Sequence, residues 1–171
     1  MDNNGIYSNN HIEFLKVAAE YCKYLEQSKN TQRAEFLNVM RRLLPMIYLK
    51  ISFIPEIEEP VGFNSPHVTE QDYNYIQSLV EKIMGEYNDS LDTFVEDFKY
   101  TDQPVLCTIS EGLADIYQVL RNHVEVYRSG FDEAIEVSTF ELIDTFKNYW
   151  GQVLLNTLKA IHFTQYNSNE E

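Results

Sequence analysis

A chain of 171 residues with 44 % hydrophobic and 23 % charged side chains has the length of one ordinary domain and the composition of a folded one, which excludes global disorder. Its 27 acidic residues against 13 Lys and Arg give a formal net charge of −14, so direct nucleic-acid binding is not expected; the best candidate for a basic patch, Arg41-Arg42 with Lys50, is thin. No apolar run reaches the ~18 residues of a membrane span, and Met1–Asn10 lacks the basic and apolar regions of a signal peptide. The expected setting is therefore cytoplasmic, away from membranes. Cys22 and Cys107 have neither disulfide nor metal spacing, and each reads as a small buried hydrophobe.

Met1–Asn10 is polar and reads as a loose terminus. From His11 to Gln27, the residues Phe14, Val17, Ala18, Tyr21 and Leu25 recur at helical spacing. A second helix is expected from Gln32, capped by Thr31 and ending before Pro55. One stripe is Phe36, Met40, Leu43, Ile47 and Ile51; Leu37, Leu44 and Tyr48 add another. Apolar nearly all round in its C-terminal half, such a helix belongs at the centre of a bundle. Pro45 inside it predicts a kink. Glu56–Pro66, with Pro60, Gly62 and the acids Glu56, Glu58 and Glu59, reads as a loop, either mobile and partner-facing or an ordinary connector.

Thr69 caps the third helix, with Asp72 in the capping-box position and Val68 placed to staple onto Tyr73. Tyr73, Ile76, Val80 and Ile83 carry its core face and Gly85 ends it. A short helix is expected from Ser90, with Leu91, Phe94, Val95 and Phe98 on one side. Lys99 to Thr108 is a turn-rich connector around Pro104, with room for a brief extended stretch. Ser110 is the expected cap of the next helix, whose stripe is Leu113, Ile116, Tyr117, Leu120, Val124 and Tyr127; Gly130 stops it. The last helix runs from Asp132 to about His162. Its stripe holds Ile135, Phe140, Ile143, Phe146, Trp150, Val153, Leu154, Leu158 and Ile161. At ~1.5 Å per residue it is long enough to require a bend. The fold class is all-α: an up-and-down bundle of four to five long helices plus one short helix. It forms a single domain over 1–171, with a core from about 11 to 163 and loose ends at 1–10 and 165–171.

Di-metal helical bundles need inward glutamates and Glu-x-x-His pairs. The histidines are His11, His67, His123 and His162. None stands three residues after a glutamate, and no His-x-x-x-His occurs. A phosphate loop, a dinucleotide-binding glycine motif and a nucleophile elbow are also missing. No catalytic residue, cofactor or metal is assigned on these grounds.

Two features remain. Asp115 borders the apolar stripe of its helix, with Glu111 four residues before it. It is a general base or ligand anchor, a carboxylate bonded to a Tyr or Arg of a neighbouring helix, or simply exposed. Tyr149-Trp150-Gly151 places a glycine in mid-helix at a cost of ~1 kcal/mol, which suggests close approach by a neighbour, with His162 three turns on. Asp115, Tyr117, Trp150 and His162 are the candidate lining of a pocket between these two helices.

Glu13-Phe14-Leu15 through Leu25-Glu26, the run from Leu43 to Lys50, Leu113-Ala114-Asp115-Ile116-Tyr117 with Leu120, and Trp150-Gly151 with Leu158 to His162 together resemble a bacterial, Bacteroidetes-type family of all-helical domains of unknown function. The resemblance covers about residues 11 to 163. It implies a bacterial cytoplasmic helical protein and no assigned activity. Relatives often carry an acid where this chain has Val119 and histidines where it has Tyr149 and Val153, so only Asp115, Tyr117 and His162 carry over. The expected function is a non-enzymatic protein-interaction module, acting on a protein partner or as a homo-oligomer. The alternative is a small-ligand- or metal-binding protein, possibly an enzyme, using the pocket above.

Overall fold

In the computed structural model, residues 5–91 and 106–167 are described. The helical stripes become α1 (Asn9–Glu26), α2 (Arg33–Ile51), α3 (Glu70–Met84), α4 (Ile109–Ser129), α5 (Asp132–Thr145) and α6 (Gly151–Asn167). α4 is the hub. It packs against α1, α3, α5 and α6, and nothing polar interrupts its inner face from Leu113 through Ile116 to Leu120. The all-helical bundle is as expected, but its centre is not α2. That helix lies outside, packed chiefly on α1 and α6. Only one of its faces is buried, through Phe36, Leu37, Met40, Leu44, Ile47 and Ile51. Pro45 sits within an otherwise continuous helix.

Local chemistry explains the boundaries. Thr69 accepts from Asp72 N and Asp72 accepts from Thr69 N, so the expected capping box is complete. Gly85 ends α3 in a positive-φ conformation (55°) that favours glycine. Two expected caps differ. Gln32, not Thr31, stands at the N-cap of α2 and makes no side-chain capping bond. Thr108, not Ser110, caps α4 by accepting from Glu111 N at 3.1 Å. Ser110 is instead drawn inside, where Asn88 donates to its hydroxyl and accepts from its backbone N–H, both at 2.9 Å.

The reason lies just upstream. A 3-10 turn at Gly85–Asn88 leads into β1 (Asp89–Leu91), which pairs antiparallel with β2 (Leu106–Thr108). The helix expected from Ser90 is therefore strand at Ser90 and Leu91; its remaining residues, Phe94, Val95 and Phe98, lie outside the described residues. Cys107 in β2 is only half-buried, and its sulfur takes a bond from Asn156 Nδ2 at 3.3 Å. Cys22 fits the expectation of a buried hydrophobe, and burial pushes its thiol up to about 12.

The long C-terminal helix is interrupted at a defined place. Between α5 and α6, Phe146–Trp150 form a π turn, closed by the Gly151 N–H on the Phe146 carbonyl. Such a turn re-aims a long helix without breaking its backbone bonding. The loop before α3 is tied to the bundle. Asn64 donates to the Ala134 carbonyl at 2.8 Å, and Asn122 accepts from the His67 and Val68 backbones at 2.8 and 2.7 Å. Among the described residues, no helix is long and apolar enough to cross a membrane.

Candidate functional site

Asp115 faces α3 and the π turn. Tyr73 donates to its Oδ1 at 2.7 Å and Tyr149 to its Oδ2 at 2.5 Å. Burial raises both phenol pKa values, and the bonded carboxylate adds to the rise. Each oxygen thus already holds a donor, and the carboxylate ties three elements together.

Tyr117, two residues on, points to the other side of α4. It donates to Glu26 of α1 at 2.8 Å. Arg121 also binds Glu26 and reaches Glu125 at 3.2 Å. Trp150 is fully buried; its Nε1 donates to the Leu142 carbonyl at 3.0 Å and its ring packs edge-on to Phe146. His162 is exposed on α6, tilted against Tyr166. The structure does not bring the four residues into one pocket. Asp115 meets Tyr149 rather than Trp150, and Tyr117 and His162 belong to separate surfaces.

Gly151 serves a different purpose from the expected one. A Cβ there would lie 2.5 Å from the Phe146 carbonyl, so glycine is required by the π turn itself and not by a neighbouring helix. The close interhelical approach occurs at Gly112, where a Cβ would run into the Thr157 hydroxyl of α6.

A buried histidine pair escaped the sequence reading. His11 of α1 and His123 of α4 stack at 11° with Nε2–Nε2 at 2.8 Å, and His123 Nδ1 lies 2.7 Å from Ser138 Oγ of α5. One shared N–H joins two uncharged rings. Burial lowers His11 to about 4 and His123 to about 3, the neighbouring imidazole adding to the second shift. The signal was helical phase: His11 precedes Phe14 and Ala18, and His123 follows Leu120, at core spacing. A search for metal pairs passes over it. Among the described residues, no group of three or more His, Cys, Asp or Glu side chains is placed to hold a metal ion.

The outward side of α2 is the unusual surface. Met46 and Leu49 on α2 and Phe53 in the turn just after it, at i, i+3 and i+7, are 45 %, 53 % and 54 % exposed. Met46 and Leu49 lie opposite the helix's buried stripe. Tyr48 is also partly exposed, leaning edge-on against Phe146. Beside this stripe a groove of about 440 Å³ runs between α2 and α6, lined by Arg41, Pro45, Leu155, Leu158, Lys159, His162 and Tyr166. None of these is acidic. Pro45 has no N–H to offer the Arg41 carbonyl. His162 therefore belongs to this groove rather than to the pocket expected around Asp115.

Residues 5–167 match the model of a family described as a domain of unknown function, DUF5063. The crystal structure of protein BF1032 from Bacteroides fragilis is similar over 97 % of this chain and 98 % of that chain, with a TM-score of 0.84 and 33 % sequence identity. No curated protein matches.

Proposed function

The chain belongs to the DUF5063 family, a domain of unknown function, and we propose that it is a non-enzymatic protein-interaction module whose working surface is the outward face of α2. The supporting observation is the exposed apolar stripe Met46, Leu49 and Phe53. Scattered exposed hydrophobics are ordinary; an apolar row at helical spacing, opposite the core, is a feature of binding faces. The proposed setting is the bacterial cytoplasm, and the proposed partner is a protein rather than a nucleic acid or a lipid surface.

A photo-crosslinking side chain at Leu49 of the full chain, in the source cells, tests this. A discrete adduct is expected at Leu49 and not at Tyr75, which is exposed to a similar degree on α3. Equal adducts at both positions, or none at either, would overturn the reading.

A further inference from the structure

We propose that the groove between α2 and α6 docks an acidic amphipathic helix of another protein. The proposal rests on the interaction reading above and supplies the chemistry of the partner.

Charge distribution carries it. The chain has 27 acids and 13 Lys and Arg, yet among the described residues no carboxylate lines this groove, whose polar lining is Arg41, Lys159, His162 and Tyr166. Arg41 directs its donors to Asn38 of its own helix at 3.1 and 2.7 Å. Arg41 and Lys159 of the lining make no ion pair among the described residues, which leaves both charges open to a partner. A groove that sets Arg41 and Lys159 beside apolar side chains, with no described acid in its lining, favours a negatively charged apolar partner.

Apolar geometry supplies the second half. Pro45, Leu155 and Leu158 supply the apolar lining, and the exposed Met46 and Leu49 lie beside it on α2, with Phe53 in the turn that follows. An apolar cleft between two helices suits a third helix laid into it by its apolar face. Its flanking Asp and Glu would then meet Arg41, Arg42 and Lys159. A second copy of this chain is the poorer occupant, since two molecules of charge −14 repel during approach.

The test places the photo-crosslinker at Leu155 of the full chain in the source cells and identifies the adducted peptide by mass spectrometry. The expected peptide comes from another protein and flanks helically spaced apolar residues with Asp and Glu. A synthetic copy should bind the purified chain, with affinity falling roughly tenfold from low to high salt. The double variant Arg41→Glu, Lys159→Glu should lose at least as much; Arg41→Gln, Lys159→Gln, which keeps the groove uncharged rather than reversed, should lose less. Unchanged thermal melts establish that both variants fold. An adduct to the Glu56–Glu59 loop of a second copy, a peptide without acids, or binding indifferent to salt and to both variants would overturn the proposal. If Leu49 crosslinks a partner but Leu155 does not, this proposal fails while the interaction reading stands. If neither does, both fail.

Discussion

α4 and α2 invert the usual division between inside and outside. α4, at the hub, brings polar groups to its contacts: Asp115 accepts from two tyrosines, Arg121 links Glu26 to Glu125, and His123 meets His11. α2, at the surface, turns Met46 and Leu49 to solvent, and Phe53 follows in the next turn. Each of these polar groups has a partner, as a buried polar group must to avoid its desolvation cost. The apolar row on α2 has none. The contrast shows that a residue's oddity for its location is not itself a mark of function. What separates the two helices is whether the odd residue is already satisfied.

The largest expected effect tests the satisfied side. Both imidazoles are held below the ordinary histidine value of 6.5, at about 4 and about 3. A folded-state pKa lower than the unfolded one means that the unfolded chain takes up protons first as pH falls. The pair's full contribution is therefore present above about pH 6.5. It is lost between there and about pH 3, as protons favour the unfolded chain. The loss should reach roughly a few kcal/mol for the pair as a whole at pH 4. Denaturant titrations at pH 7, 5 and 4 should show a steep fall. His123→Gln should start less stable and fall less steeply. Parallel curves for the two proteins would mean that the pair is not the acid-sensitive joint.

Next in size is the π turn. Gly151→Leu forces a Cβ against the Phe146 carbonyl and should cost ~1–3 kcal/mol or more, by overpacking and loss of the turn. Asp115→Ala leaves Tyr73 and Tyr149 without their acceptor and should cost about 1–2 kcal/mol. Tyr149 stands beside Trp150, immediately before Gly151, so the two effects should be less than additive in a double-mutant cycle. Strict additivity of the melts would mean that Asp115 and the π turn are independent supports.

These residues show how far the sequence could be read. Helix existence followed from apolar spacing, and the Thr69–Asp72 box was legible because its partners are three residues apart. Partners distant in sequence were not legible. Nothing local announces that Asn88 will hold Ser110, that Thr108 will displace Ser110 as a cap, or that Gly112 rather than Gly151 lets two helices touch. α2 was misplaced for a physical reason as well. An all-round apolar helix satisfies the pattern of a central helix, and only its packing against α1 and α6 reveals that one side is left open. The groove that holds His162 is likewise assembled from α2 and α6, more than a hundred residues apart in the chain, so the histidine's spacing from Trp150 pointed to the wrong neighbours.

The smallest expected effect bears most directly on function. Leu49→Lys and Phe53→Lys change two side chains that are already about half exposed, 53 % and 54 %. Neither belongs to the buried core, so no cavity forms and no buried donor loses its acceptor. At Leu49 lysine is also a good helix former, and at both positions its stem can still cover the neighbouring apolar surface. Each added positive charge slightly relieves the self-repulsion of a chain at −14. The double variant should therefore melt within about 0.5 kcal/mol of the parent. Its crosslinking from a probe at Met46 should nonetheless disappear, because a partner's apolar face would have to bury two ammonium groups. A large loss of stability would show that the row packs against this chain itself, and α2 would then differ from α4 in degree rather than in kind.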